Sequence, residues 1–445
     1  MALMRSVSGI RGVVGETLTT DVLLRHTRAF LQVIQARKVV LGRDTRPTGP
    51  AISDFVQSVC RMAGVEVVDI GIATTPTVEL MVEHLGASGG IIITASHNPI
   101  EWNALKFLDA KGMFLGPESA KELFALADAN QFSWAKWSNV GSLVAGASGD
   151  PIHIEKVLAH SCVDVDAIRN AKFKVVLDAV NGAGSTVLPQ MLKQLGCEVV
   201  RLYCEPNGIF PRGAEPTPEN LRALGEAVRE SGATVGFALD PDADRCALVD
   251  SLGQSVGEEY TLAIACDTVL DRLAGPICIN LSTSQMNADV AKRHGQECYR
   301  AAVGEINVSL EMIAKGCVMG GEGNGGTILP SLHYGRDSLV ACALILDYMA
   351  RKGKRVEDWV RENPRYAMPK LKVALGGRPV ADVLADVKKH FSDWKMDERD
   401  GLWLGKEQAW LHVRASNTEP ILRIIAEAPS EAEALDLCAQ VQKFL

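Results

Sequence analysis

Three times along this chain the same order of signals returns: an apolar strand-length run, a polar or glycine-containing turn, a stretch with helical periodicity, a glycine, and a second apolar run. The first copy passes from Lys38–Gly42 through Ile52–Ala63 and Gly64 to Val65–Ile70. The second passes from Phe173–Leu177 through Asn181-Gly182, Val187–Leu195 and Gly196 to Val199–Tyr203. The third passes from Ile277–Leu281 through Ala288–His294 and Gly295 to Cys298–Arg300. A glycine in that place accepts the left-handed backbone that ends a helix, so each copy reads as a strand–helix–strand module. Runs of Val, Ile and Leu with little alternation belong to strands covered on both faces. The last ~80 residues break the pattern. There Ala409–Val413 and Ile421–Ala426 read as strands joined by a polar loop, and Ser430–Leu445 as a helix capped by Ser430 with Glu433 closing a capping box. A chain of 445 residues is too long for one ordinary domain. The expected fold is α/β: three related mixed-sheet α/β domains followed by a smaller α+β C-terminal domain around a central cleft. The expected domains are residues 1–143, 144–252, 253–364 and 365–445, with linkers at Ser138–Asp150, Asp250–Gly253 and Glu362–Pro369.

Charge and composition narrow the partners. The formal net charge of −8 argues against bulk attraction to nucleic acid or an anionic membrane, so an anionic substrate needs a locally positive cleft. The 11 cysteines form no CxxC pair, and Cys246, Cys266, Cys278 and Cys342 lie in apolar runs, as expected of core thiols in a reducing, cytoplasmic setting. Met1–Gly12 has no apolar segment of a secretory signal, and no run approaches the ~18 apolar residues of a membrane span.

Four polar loops carry the chemistry. Thr94-Ala95-Ser96-His97-Asn98-Pro99 follows the apolar run Gly90–Ile93. This sets the Ser96 hydroxyl at a strand's carboxyl end, where open α/β sheets bind ligands. A serine there suits a phosphoryl carrier, with His97 and Asn98 supplying hydrogen bonds; an ordinary Asn-Pro turn is the plain alternative. Asp240-Pro241-Asp242-Ala243-Asp244-Arg245 follows Thr234–Leu239. Three alternating carboxylates crowd negative charge that a hard cation such as Mg²⁺ relieves, and Arg245 can hold a phosphate oxygen. An EF-hand is ruled out, because Arg245 and Ser251 stand where glycine and glutamate are required. Gly320-Gly321-Glu322-Gly323-Asn324-Gly325-Gly326 permits close backbone approach while Glu322 and Asn324 bond hydroxyls; it lacks the Lys-Ser/Thr of a P-loop. Arg414-Ala415-Ser416-Asn417-Thr418-Glu419-Pro420 gathers donors on one short loop, a cradle for phosphate. One such loop falls in each expected domain.

These motifs, in this order and from Gly9-Ile10-Arg11-Gly12 onward, resemble the α-D-phosphohexomutase family, which includes phosphoglucomutase, phosphomannomutase and phosphoglucosamine mutase. The resemblance implies an isomerase that acts as an intramolecular phosphotransferase between hexose 6-phosphate and hexose 1-phosphate. It implies a phosphoserine at Ser96, and Mg²⁺ held by Asp240, Asp242 and Asp244 with the serine phosphate completing the shell. It further implies a catalytic set of Ser96, His97, Lys106, Arg11 and Arg245. Glu322 and Asn324 become the sugar contacts, and Arg414, Ser416, Asn417 and Thr418 the grip on the non-reacting phosphate. Lys106, in Trp102-Asn103-Ala104-Leu105-Lys106-Phe107, stands as the acid/base, with an exposed strand-edge lysine as its plain reading. A hexose 1,6-bisphosphate is the implied intermediate and activator, and a monomer or homodimer the implied assembly.

One departure touches the sugar loop. Many relatives read Gly-Glu-x-Ser-Gly there, often followed by histidine, where this chain has Asn324 and Gly326. His333 is near in sequence, while His84, His160 and His412 read as structural. The opening Ser8–Gly12 and the sugar loop favour glucosamine phosphate over mannose or glucose phosphate. A phosphosugar phosphatase built on the same aspartates and a non-catalytic sugar-phosphate binding protein are the rivals from other classes. The first would release inorganic phosphate, and the second would be indifferent to Ser96→Ala.

Overall fold

The computed structural model describes residues 3–146, 148–375, 377–415 and 421–445. It contains four sheets, one in each of four domains. The three repeated modules are present, and each extends further than the sequence reading reached. In the first domain, strand Lys38–Arg43, helix Gly49–Met62 and strand Glu66–Ile72 are followed by helix Thr75–His84, strand Gly89–Ile93 and a returning strand Trp102–Leu108. In the second, Lys174–Asp178, Gly184–Gln194 and Glu198–Leu202 are followed by helix Arg222–Ser231, strand Val235–Leu239 and return strand Cys246–Val249. In the third, Ile277–Asn280, Met286–Arg293 and Cys298–Ala301 are followed by helix Glu305–Lys315, strand Met319–Glu322 and return strand Gly326–Ile328. In all three the leading strand pairs parallel with its two neighbours, and the return strand closes an antiparallel hairpin on the outer one. The helix-ending glycines take the left-handed conformation, with φ of +85° at Gly64, +76° at Gly196 and +67° at Gly295.

The repeat places chemistry at one topological address. The turn between the third strand and its return strand carries Ser96 in the first domain, the aspartates in the second and Glu322–Asn324 in the third. A return strand can begin only after the chain leaves the parallel sheet's carboxyl edge, so these turns all open on the ligand-binding side.

The first sheet gains Met4–Ser6 and Gly9–Val13 at one edge, the latter pairing antiparallel with Trp102–Leu108. At its other edge Leu143–Ala145, inside the stretch expected to be a linker, pairs parallel with Glu66–Ile72. Those three residues, Leu143, Val144 and Ala145, are exposed, and a run of three between Ser and Gly is too short to stand out as a strand. The C-terminal sheet is antiparallel, in the order Lys370–Ala374, Ile421–Glu427, Ala409–Ala415, Leu402–Lys406 and Lys395–Asp397. Helix Glu431–Gln442 begins with the expected capping box: Glu433 donates its backbone N–H to Ser430, and Ser430 N–H to the Glu433 carboxylate. The second and third domains share one apolar core, joined by helices Glu258–Leu270 and Ser338–Lys352, whereas the first and last have cores of their own.

Candidate active site

Ser96 sits at the tip of its turn with φ of +47°, a conformation a residue with a side chain adopts only when its surroundings enforce it. The enforcement comes from a fully buried arginine. Arg46 uses all five guanidinium N–H groups: Nε to Asp44 (3.1 Å), Nη1 to the carbonyls of Pro99 (2.6 Å) and Trp102 (3.1 Å), and Nη2 to those of Ser96 (2.6 Å) and Asn98 (2.7 Å). Asp44 also accepts from Thr94 Oγ1 (2.7 Å), which in turn accepts from the Ser96 N–H (3.0 Å). The Ser96 hydroxyl is thereby aimed across the domain boundary, donating to Asp240 Oδ2 at 2.8 Å, with His97 Nδ1 at 3.3 Å. Burial, then the charges of Arg245 and Arg11, drive the His97 pKa down to about 2, so its ring is neutral. Arg11 reaches the same loop through Asn98 Oδ1.

The aspartate turn meets the serine turn directly. Asp240, Asp242 and Asp244 are fully buried, and each offers an oxygen within 4.8 Å of the others. Burial, then the charges of Asp244 and Asp242, raise the Asp240 carboxyl well above its ordinary range. Asp242 is equally buried, but Lys106 holds it ionised and low; Lys106 Nζ lies 2.7 Å from Asp242 and 3.7 Å from Asp244. Thr75 Oγ1 adds a second contact to Asp242 at 2.8 Å. Far from being a strand-edge surface group, Lys106 is buried; burial works against its ammonium, yet the two aspartates raise its pKa, so it stays charged.

Each partnered oxygen leaves its twin free. Asp242 Oδ2 and Asp244 Oδ2 are bound by Lys106 and Arg336, while both Oδ1 atoms are buried without a hydrogen-bond partner. Unpartnered buried carboxylate oxygens beside a third aspartate are the donor set a hard divalent cation takes, so the residues fit Mg²⁺.

In the third domain Glu322 Oε1 accepts from Asn280 (2.8 Å) and the Gly304 N–H (2.9 Å), and Asn324 Oδ1 accepts from the Gly326 N–H (3.3 Å). A cavity of about 270 Å³ joins the turns. It is lined by Arg11, Ser96, His97 and Lys106 from the first domain, Arg245 from the second, and Glu322, Asn324 and Arg336 from the third. Arg245 adds an ion pair to Glu215 at 2.9 Å. Arg414 does not line this cavity; it pairs with Asp400 at 2.6 Å, whose same oxygen accepts from the N–H of Val303 (3.2 Å) on the cavity wall. Ser416, Asn417 and Thr418 lie outside the described residues.

Sequence reasoning missed Arg46 and Arg336. A signal existed for Arg46: Arg43-Asp44-Thr45-Arg46 packs charge directly behind an apolar strand, on the same side as the other turns. His333 does not replace a sugar-loop histidine; it bonds Asp337 (3.0 Å) and accepts from the Gly335 N–H (3.0 Å). His412 bridges domains, with Nδ1 2.8 Å from Ser282 Oγ and Nε2 2.6 Å from the Asp400 carbonyl.

Comparison with known proteins gives one consistent result. Residues 3–134, 151–253 and 257–366 match alpha/beta/alpha domains I, II and III of phosphoglucomutase/phosphomannomutase, and 370–444 its C-terminal domain. A phosphoglucomutase/phosphomannomutase of Thermococcus kodakarensis is 37% identical over 435 residues, 96% of this chain and 94% of that protein. A probable phosphoglucosamine mutase of Methanopyrus kandleri is 35% identical over 434 residues, 97% and 95%. The crystal structure of a phosphoglucomutase/phosphomannomutase family protein from Burkholderia thailandensis superposes with a TM-score of 0.85 at 26% identity, covering 99% of this chain and 98% of that one.

Proposed function

The chain belongs to the phosphoglucomutase/phosphomannomutase family and is a phosphohexomutase, and from that premise we propose that it interconverts glucosamine 6-phosphate and glucosamine 1-phosphate through a phosphoserine at Ser96. The observation that carries the proposal is the single cavity joining the Ser96 hydroxyl, Lys106, Arg245 and Glu322, with Asp240 of the aspartate trio 2.8 Å from the serine oxygen. Relatives named probable phosphoglucosamine mutase at 32–35% identity support the choice of sugar.

The free hydroxyl of the bound hexose monophosphate attacks the phosphorus on Ser96. The P–O bond to the seryl oxygen breaks, and the hydroxyl's proton leaves to a base. The resulting 1,6-bisphosphate turns round, and the Ser96 oxygen takes the other phosphoryl group. The sum consumes neither water nor a second substrate. Asp240, Asp242 and Asp244 would hold Mg²⁺, which when bound would supply charge neutralisation at the phosphoryl oxygens. Arg245 and Arg11 add fixed positive charge near the same atoms. Lys106 is an ammonium held by two carboxylates, hence a proton donor to the departing seryl oxygen. It becomes an acceptor only when the charge of those carboxylates is otherwise engaged. Arg414, with Ser416, Asn417 and Thr418, grips whichever phosphate is not reacting.

The test compares glucosamine, mannose and glucose 6-phosphates, each primed with its 1,6-bisphosphate. Glucosamine should turn over fastest, with almost no inorganic phosphate released. Intact-mass analysis should find one phosphoryl group on the protein and none on Ser96→Ala, which should be inactive. A faster mannose rate overturns the sugar, stoichiometric phosphate release overturns the mutase, and an active Ser96→Ala overturns the carrier.

A further inference from the structure

Arg336 ties together three carboxylates from two domains. Nη2 lies 2.5 Å from Asp244 Oδ2, Nη1 2.5 Å from Glu322 Oε2 and Nε 2.9 Å from Glu305 Oε2. Asp244 belongs to the metal turn, Glu322 to the strand that enters the sugar loop, and Glu305 to the first turn of the helix that precedes that strand. The arginine's own backbone is pinned beside Asp337, which caps helix Ser338–Lys352 and donates its N–H to the Thr327 carbonyl at 2.8 Å. Arg336 lines the cavity and as a residue is 8% exposed.

The space it fills is the space that the sugar loop leaves open. A Cβ added at Gly326 would fall 2.2 Å from Arg336 Cδ and 2.9 Å from Cγ; the next neighbour, Asn324 Oδ1, is 3.1 Å away. A side chain at 326 and the extended Arg336 therefore exclude one another. Without the guanidinium, Asp244, Glu305 and Glu322 would be buried carboxylates facing one another without the one cation common to all three, and their mutual repulsion would push them apart. With it, a planar fork fixes one oxygen of Asp244 and turns the other toward its fellow aspartates, while it holds Glu322 for the sugar.

We infer that Arg336 is a positioning residue that locks the metal carboxylate Asp244 and the sugar carboxylate Glu322 into one frame, and that glycine at 326 is required because Arg336 occupies its side-chain space. This rests on the mutase reading of the same cavity. Metal affinity and sugar affinity should consequently fail together, in variants that touch neither ligand.

The experiment is a double-mutant cycle of Gly326→Ala and Arg336→Ala, with Arg336→Lys alongside. The readouts are Mn²⁺ affinity by electron paramagnetic resonance, and KM and kcat with the preferred hexose phosphate. Each single variant should weaken Mn²⁺ binding and raise KM by about 10–100-fold, the usual cost of losing a residue that orients a metal ligand. Gly326→Ala should add nothing in the Arg336→Ala background, and guanidinium ion should restore part of the loss in Arg336→Ala but not in Gly326→Ala. Unchanged Mn²⁺ affinity and KM with only a lower melting temperature would overturn the inference, as would fully additive effects. If Arg336→Ala does not fold, Gly326→Ala and Arg336→Lys decide by the same two readouts. An inactive wild type would sink the mutase reading, and the Mn²⁺ arm would still judge Arg336.

Discussion

At the scale of single residues, two buried cations hold the site in opposite ways, and substitution separates them. Lys106 is a single ammonium against two carboxylates, so its charge and its proton are distinct contributions. Lys106→Arg keeps the charge but cannot release a proton near neutrality, since a guanidinium stays protonated. We expect Lys106→Arg to fold, to bind Mn²⁺, and to lose about 10²–10⁴-fold in kcat, the usual worth of positioned acid–base catalysis; kcat near wild type would reduce Lys106 to a counter-ion. Arg46 contributes geometry instead. Replacing it with Met leaves Asp44 as a buried unpaired charge and strips a partner from four carbonyls of the serine turn. Urea unfolding should show a loss of about 3–5 kcal/mol, and Arg46→Lys should recover some stability but little activity, because no ammonium matches the fork. The polar turns that meet at the cavity were legible in sequence because charge clustered behind an apolar strand is costly unless used. Arg336 was not legible. A lone arginine between Gly335 and Asp337 looks like any loop cation, and only the empty Cβ position at Gly326 reveals what fills it.

At the scale of elements, the parallel strands were legible because burial on both faces writes an unbroken apolar run. The missing pieces have physical reasons. Lys370–Ala374 alternates exposed and half-buried residues at a sheet edge, and Lys395–Asp397 is three residues long, so neither carries enough apolar contrast to stand out. Helix Glu258–Leu270 is buried along nearly its whole length and supports the sugar loop from behind. A Cβ at Gly323 would meet the Glu259 carboxylate at 2.1 Å, so glycine lets the loop rest on that acid. Glu259 also accepts from the Ser284 N–H at 2.9 Å. Its burial, opposed by Lys370, raises its pKa to about 8. The folded state thus keeps a proton that the unfolded chain releases near pH 4.5. This favourable contribution is complete below pH 4.5 and is lost as pH rises toward 8, at ~1.4 kcal/mol per pH unit. Glu259→Gln cannot ionise, so its stability relative to wild type should climb across that window and level off above it. Parallel melting curves at pH 5 and pH 8 would reject the protonated carboxyl.

At the scale of the whole molecule, the first three domains meet around the cavity, while the last contributes no described residue to its lining. It docks on the third domain by His412 to Ser282, by the Glu427 carboxylate to the Gln285 N–H (2.7 Å), and by Arg300 packed at 5.2 Å from the Trp403 ring and 5.8 Å from Trp410. Its core is separate from the others, and no helix among the described residues is long enough and apolar enough to cross a membrane. A domain held by such polar contacts, by the ion pairs Arg399–Glu311 (3.7 Å) and Lys370–Glu259 (4.0 Å) and by a cation over two rings, but by no shared core, can rock without disturbing any core. The proposed carrier phosphate on Ser96 would need such motion, because the site must open for sugar and then exclude water. Arg300 is placed to set that balance: its guanidinium also donates to the Thr283 carbonyl at 2.9 Å and to Gln285 at 3.2 Å, in the segment just after strand Ile277–Asn280. Arg300→Ala forfeits ring contacts worth about 0.5–2 kcal/mol, which should shift the domain toward undocked forms. We expect KM for the hexose phosphate to rise several-fold and background hydrolysis of the phosphoserine to increase, with the melting of the first three domains little changed. Limited proteolysis should cut faster within residues 363–369 in this variant, and a hexose bisphosphate should slow the cut. Equal cleavage rates in the variant and the wild type, with and without the bisphosphate, would mean that the last domain is fixed in place and that the cleft opens elsewhere.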